Sequence, residues 1–312
     1  MNEVSRKILE QVNSVIIGKE AVTEKVLMAV LAQGHVLLED VPGVGKTTMA
    51  LAFARTLGLD SRRVQFTSDT MPSDIIGFSL YNKETGRFDY KSGAVMTNLL
   101  LADEINRTSS KTQSALLEAM EEYQVTVDGH TYPLPKPFVV LATQNPVGSA
   151  GTQLLPSSQL DRFMIRTTMG YPDRQSQVDI LRERHHENPL DRLQGVVTCE
   201  ELLELIESAK QVHIADAVYD YIVELVDATR SSELVELGVS PRGALALCRM
   251  AKAHAFVRGG DFVTPEDVYQ VFDDVCAHRL VLSAKARLGK ITAREITEQL
   301  RQQVPVPQVA QL

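Results

Sequence analysis

Lys46 and Thr47 close the run Asp40-Val41-Pro42-Gly43-Val44-Gly45-Lys46-Thr47, which follows the apolar stretch Val36-Leu37-Leu38 and opens a helical pattern reaching about Leu57. A strand, a Gly-rich turn and a helix start, in that order, make a cradle for phosphate. Backbone N–H groups of the turn, which runs through Pro42, Gly43, Val44 and Gly45 to Thr48, would wrap the phosphates. Lys46 would reach the β- and γ-phosphates, and the Thr47 hydroxyl would bind Mg²⁺. Asp40 stands where the G-x-x-x-x-G-K-[ST] pattern begins with Gly, and Pro42-Gly43 can still form the tight turn.

Two acids end a second apolar run, Leu99-Leu100-Leu101-Ala102-Asp103-Glu104. Asp103 is placed to hold the Mg²⁺ of a bound nucleotide and Glu104 to polarise an attacking water. Thr143-Gln144-Asn145-Pro146 closes a third run. There Asn145 is either a turn residue or a group that touches the γ-phosphate or holds the lytic water. Two arginines stand apart: Arg162 in Leu160-Asp161-Arg162-Phe163 and Arg242 in Ser240-Pro241-Arg242-Gly243. Local sequence leaves each open, Arg162 as a surface partner of Asp161 or a phosphate ligand, Arg242 as a solvated first-turn residue or a reach toward phosphate.

The elements that must position these groups follow from periodicity. The first 35 residues read as two helices broken at Ile16-Ile17-Gly18. Apolar runs at 36–38, 64–66, 99–102, 138–142 and 163–168 then read as buried parallel strands, with a helix over 112–122. Asp128-Gly129 between alternating residues marks a two-residue hairpin, and residues 80–90 around Lys83-Glu84-Thr85-Gly86 form a looser one. Residues 173–300 are almost wholly helical in pattern, with Thr264 and Pro265 as a helix start. The domain boundary is expected at 171–174, and the last dozen residues, with Pro305 and Pro307, as an extended tail.

At 312 residues the chain can form two cored domains, and its 44% hydrophobic and 23% charged residues are ordinary for a globular protein. A net charge of −8 disfavours a broad affinity for nucleic acid. Cys199, Cys248 and Cys276 fit no metal-ligand spacing and are expected to be buried free thiols. No signal peptide and no apolar run of about 18 residues is found, so a cytoplasmic protein without a membrane span is expected.

Together these blocks resemble the AAA+ ATPases, and within them the MoxR family, over residues 5–279. Beyond the phosphate-binding run and the two strand-ending acids, the resemblance rests on L-A-D-E-I-N-R-T from Leu101, K-T-Q-S-A-L-L-E-A-M-E-E from Lys111, L-D-R-F from Leu160, S-P-R-G from Ser240 and H-R-L from His278. It implies an α/β P-loop NTPase core with a parallel sheet over residues 1–171, then a smaller all-α lid over 172–300. It makes residues 76–95 the helix-2 insert and 123–134 the pre-sensor-1 hairpin. Asn145 becomes sensor 1, Arg162 an arginine finger offered to the neighbouring subunit, and Arg242 the sensor-2 arginine of the lid. Arg107 is a further candidate for reaching across an interface. The chain departs from the family pattern at 151–158 and at Gly93-Ala94, where Gly-Pro is more usual.

The function so implied is ATP hydrolysis with Mg²⁺ in a homo-oligomer, a hexameric ring, that remodels or matures protein complexes as a chaperone-like motor. Partners would be protein clients and a separate protein with a von Willebrand factor A domain, since this chain has no D-x-S-x-S motif. The competing readings are a magnesium-chelatase-like motor subunit and a nucleic-acid motor. The latter calls for basic hairpin tips, whereas this tip carries Asp128 and His130.

Overall fold

A computed structural model of the chain describes residues 1–40, 43–145, 155–183 and 189–307. Two helices lead, α1 (Glu3–Asn13) and α2 (Glu20–Leu31), parted where the sequence predicts. Asn2 caps α1 by accepting from the amides of Val4 and Ser5. Then follow β1 (Val36–Glu39), α3 (Lys46–Thr56), β2 (Ser61–Gln65), α4 (Pro72–Ile76), β3 (Gly77–Asn82), β4 (Arg87–Ser92) and β5 (Leu99–Asp103). After them come α5 (Ser110–Glu122), β6 (Gln124–Val127), β7 (His130–Pro133), β8 (Val139–Gln144), α6 (Ser157–Leu160) and β9 (Ile165–Thr167).

Five strands form one parallel sheet in the order β2-β5-β8-β1-β9. Side chains alternate across it. Val36, Leu38, Leu99 and Leu101 join one core, while Leu37, Leu100, Val140 and Ala142 join another on the opposite face with Leu116 and Leu117 of α5. Burial on both faces is why these strands read as unbroken apolar runs. The exception is β2. Expected as a buried strand at 64–66, it starts at Ser61 and is largely exposed, because it forms the sheet edge; Phe66, just beyond its end, is the buried residue. Arginines at 62 and 63 suit such an edge, where charge discourages pairing with another chain.

Both hairpins form, β3 with β4 and β6 with β7. Asp128 and Gly129 take φ of 49° and 79°, the primed turn that matches strand twist. Tyr90 stacks on Tyr132 with ring centroids 4.0 Å apart, tying the two hairpins together. Ala94 donates its amide to the Asp74 carbonyl at 2.9 Å, a bond that the family's more usual proline could not make.

The rest is α7 (Arg174–Glu183), α8 (Cys199–Lys210), α9 (Asp216–Ser231), β10 (Val235–Leu237), α10 (Pro241–Arg258), α11 (Pro265–Cys276), β11 (Val281–Leu282), α12 (Ala284–Leu288) and α13 (Ala293–Gln303). The region is mostly helical, as expected, with two details that the periodicity does not show. A short antiparallel pair, β10 with β11, interrupts the helical region. And α13 runs past residue 300 into the expected tail, because Arg301 pairs with Asp273 at 3.2 Å and lies over the Tyr269 ring at 4.2 Å, which holds the last turn. Of the thiols only Cys276 is fully buried, and burial pushes it up to about 12; Cys199 and Cys248 are half-buried.

The first core is continuous from α1 and α2 across the sheet to the helices after α7. Lys25 of α2 meets Asp274 of α11 at 2.6 Å, and the Asn2 amide donates to the Val257 carbonyl at 2.8 Å. The N-terminal helices are thus packed on the C-terminal helical region as well as on the sheet. Among the described residues no helix is long and apolar enough to cross a membrane.

Candidate active site

The carboxyl ends of β1, β5 and β8 are level, since Glu39 is paired with Gln144 and Ala102 with Ala142. Residues following these strands therefore open on one edge of the sheet, where parallel sheets bind ligands. Pro42 lies outside the described residues. Gly43 and Gly45 have φ of 87° and 97°, conformations a side chain would resist. Gly45 is the N-cap of α3 and supplies no side chain to its first turn, so the amides entering α3 at Lys46, Thr47 and Thr48 are left for an anion. Lys46 is only 7% exposed, and its Nζ donates to the Asp40 carbonyl at 2.9 Å. Burial pulls its pKa down, and the carboxylates of Asp40, Asp103 and Glu104 oppose that pull.

Asp40, the departure from the usual glycine, has a task of its own. Its buried carboxylate accepts from the amides of Met169 and of Gly170, the latter at 3.1 Å, just after β9. The loop is thereby tied to the segment leading into α7.

A single hydroxyl orients both strand-ending acids. Thr143 Oγ1 donates to Asp103 Oδ1 at 2.6 Å and accepts the Glu104 amide at 2.8 Å. The other Asp103 oxygen takes Arg63 of β2 at 2.7 Å. Glu104 sits at φ 57°, a left-handed conformation that costs about 1 kcal/mol or more for a residue with a side chain and is held here by its neighbours. Arg107 donates to Glu104 Oε2 at 2.8 Å, and with Asn145 holds that carboxyl below the usual range. Arg107 is therefore engaged within its own chain. Asn106 pins the Asn145 backbone, accepting its amide at 3.4 Å and donating to its carbonyl at 3.2 Å. Asn145 Oδ1 is buried with no partner.

Lys46, Thr47, Asp103, Glu104 and Asn145 are thus brought to one edge, but Arg162 and Arg242 are not among them. Both meet on Glu121 at the end of α5: Arg162 Nε lies 3.0 Å from one carboxylate oxygen, and Arg242 pairs with the other. This is the opposite end of the sheet. His35, just before β1, accepts the Val140 amide at Nδ1 (3.0 Å) and donates from Nε2 to the carbonyl of Met120 (3.0 Å), the residue preceding Glu121. Asp161, the partner expected for a merely superficial Arg162, belongs instead to Arg279 (2.8 Å) and Ser240 (3.0 Å). His278 is bonded to the Phe163 carbonyl at 3.1 Å. The blocks L-D-R-F, S-P-R-G and H-R-L converge on this one place.

Sequence reasoning missed Thr143, Asn106, Arg63 and Glu121. Thr143, a hydroxyl just after the apolar run 138–142, stands near the end of a strand that pairs with the one carrying the acids, and that pairing is the signal that could have found it. Arg63, on an exposed edge strand, offered none.

A family model described as "ATPase family associated with various cellular activities (AAA)" matches residues 35–165, and an AAA lid domain model matches residues 227–300. The chain is 40% identical to the protein named Chaperone MoxR1 of Mycobacterium tuberculosis, covering 99% of this chain and 84% of that one. It is 47% identical to the protein YeaC of Bacillus subtilis, covering 96% and 94%. A crystal structure of a candidate ATPase from Cytophaga hutchinsonii superposes with a TM-score of 0.90 at 39% identity, over 97% of this chain and 94% of that one. A parallel-sheet nucleotide-binding core followed by a mostly helical lid is the AAA+ architecture. The chain belongs to the MoxR family of AAA+ ATPases, and its enzymatic activity is ATP hydrolysis.

Proposed function

We propose that each ATP site is shared between two chains of a ring, a hexamer by the family resemblance. The observation that carries this reading is the placing of Arg162 and Arg242 on Glu121, at the end of the sheet away from their own Lys46. A strand of four residues spans about 13 Å, so neither guanidinium serves its own phosphate loop. Both are presented outward, to a neighbour. This changes the expectation for Arg242: the lid arginine acts in trans, beside the finger.

Within one chain, residues 42–48 cradle the phosphates, with Lys46 turning from the Asp40 carbonyl to the phosphate oxygens. Thr47 and Asp103 would hold Mg²⁺, which supplies charge neutralisation at the β- and γ-phosphates. An oriented carboxylate beside a helix start with no capping side chain fits that group. Glu104 polarises the attacking water, and Asn145 holds it: an unpartnered buried acceptor suits a water, which donates, better than a phosphate oxygen, which cannot. Lost γ-phosphate contacts would then release the lid of the neighbouring chain.

The work done is remodelling or maturation of protein complexes in the cytoplasm. Exposed Tyr81 and Phe88 on the β3–β4 hairpin, joined to the second hairpin through Tyr90 and Tyr132, support a role in contacting clients. A von Willebrand factor A domain partner is proposed from the family resemblance. Residues 1–171 form the core and 172–300 the lid in this reading, with the N-terminal helices as a shared strut.

Mixing Arg162→Ala chains with Lys46→Ala chains tests the shared site. Regained turnover supports it, and a strictly additive loss refutes it. For clients, the Glu104→Gln variant loaded with ATP is used as bait in native extract. Capture of a von Willebrand-domain protein or of an enzyme under assembly supports the chaperone reading, while nucleic acid or repair proteins would favour a nucleic-acid motor.

A further inference from the structure

A third arginine lies on the face of α10 that presents Arg242. Arg249 is seven residues on, two helical turns, and the buried Ala246 between them is too small to fill the space. All three line one cavity of about 170 Å³, with Arg162 and Glu121 on its other wall.

The charges around that cavity do not balance. Arg162, Arg242, Arg249 and Arg279 face two carboxylates, Glu121 and Asp161. Asp161 is held by Arg279, and Glu121 is divided between Arg162 and Arg242. Arg249 is exposed and makes no ion pair or hydrogen bond among the described residues. The cavity therefore carries an excess of guanidinium groups over carboxylates. His35, buried on the same wall and held down to about 4, adds no charge near neutral pH. An unpaired guanidinium beside two paired ones, around an open cavity, suits a polyanion with several phosphate oxygens, which forked guanidinium groups bind in pairs.

We propose that Arg249 contacts the phosphates of the nucleotide held by the neighbouring chain, so that the trans half of each ATP site is a triad of arginines gathered around Glu121. This rests on the shared-site reading above. In the free chain Glu121 orients two of the three. In the ring the triphosphate supplies the missing counter-charge.

The test uses full-length Arg249→Gln at concentrations where the wild-type chain assembles. Turnover falls at least about tenfold, as for loss of a charge-assisted hydrogen bond. Binding of a fluorescent ATP analogue to unassembled variant chains is unchanged, because their own phosphate loops are intact. Mixed with Lys46→Ala chains, Arg249→Gln regains turnover, since its phosphate loop then meets an intact triad. Arg162→Ala, mixed in the same way, is the control. Recovery with Arg162→Ala but not with Arg249→Gln overturns the triad and leaves the shared site standing; recovery with neither overturns both. Turnover of Arg249→Gln within twofold of wild type, or loss of its analogue binding, also overturns the proposal.

Discussion

Glu104 combines a carboxyl held below its usual range with a left-handed backbone, and both come from neighbours that fix it in place. A carboxylate kept charged by Arg107 and Asn145 is a weak base, so in the proposed role it would orient and polarise water more than take the proton. Glu104→Gln should bind ATP as tightly as wild type and lose turnover by about 10²-fold or more, read by phosphate release. Lys46→Ala should abolish nucleotide binding, measured by fluorescence titration. Asp40→Ala has a different readout. It leaves the amides of Met169 and Gly170 without an acceptor, and an orphaned buried donor costs about 1–3 kcal/mol, so its denaturation midpoint should fall measurably.

At the scale of elements, β1 is anchored at its start by a histidine and at its end by the phosphate loop. The two hydrogen bonds of His35 fix one tautomer, with Nδ1 as acceptor for the Val140 amide. Burial disfavours the charged ring and outweighs the bond to the Met120 carbonyl, so the pKa falls to about 4. A histidine depressed in the folded state favours folding above its unfolded pKa of about 6.5, and that contribution is lost as pH falls from there toward 4. His278, also buried and lowered well below its usual range, acts in the same direction. Chemical denaturation should therefore show stability dropping by about 1.5 kcal/mol for His35 between about pH 6.5 and 5, and His35→Gln should flatten that slope.

For the whole molecule, the continuous core from α1 and α2 to α13 makes the lid no loose appendage, while Arg162, before β9, and Arg242, on α10, meet on Glu121 at the end of the sheet away from their own phosphate loop. On the shared-site proposal, assembly is what would complete the enzyme. Specific activity should rise steeply with chain concentration and fall on dilution to the level of Arg162→Ala, whose own turnover should be about 10³-fold or more below that of the ring. Steady-state assays beside light scattering check both.

The phosphate loop, the strand-ending acids and the two hairpins were legible because each is a local pattern: strand, glycine turn and helix are contiguous, and Asp128-Gly129 dictates its own turn. The site edge was legible too, since parallel strands place their carboxyl ends together. Other features depend on partners far along the chain and leave no local trace. The exposure of β2 follows from its place at the sheet edge, and the β10–β11 pair joins residues 235 and 282. Asp40 is explained only by amides 129 and 130 positions away. By itself the sequence determined the chemistry, because phosphate binding needs adjacent residues on one turn. Which of its own arginines can reach that phosphate was decided by the tertiary structure alone, because the sheet separates the two ends to which the chain delivers them.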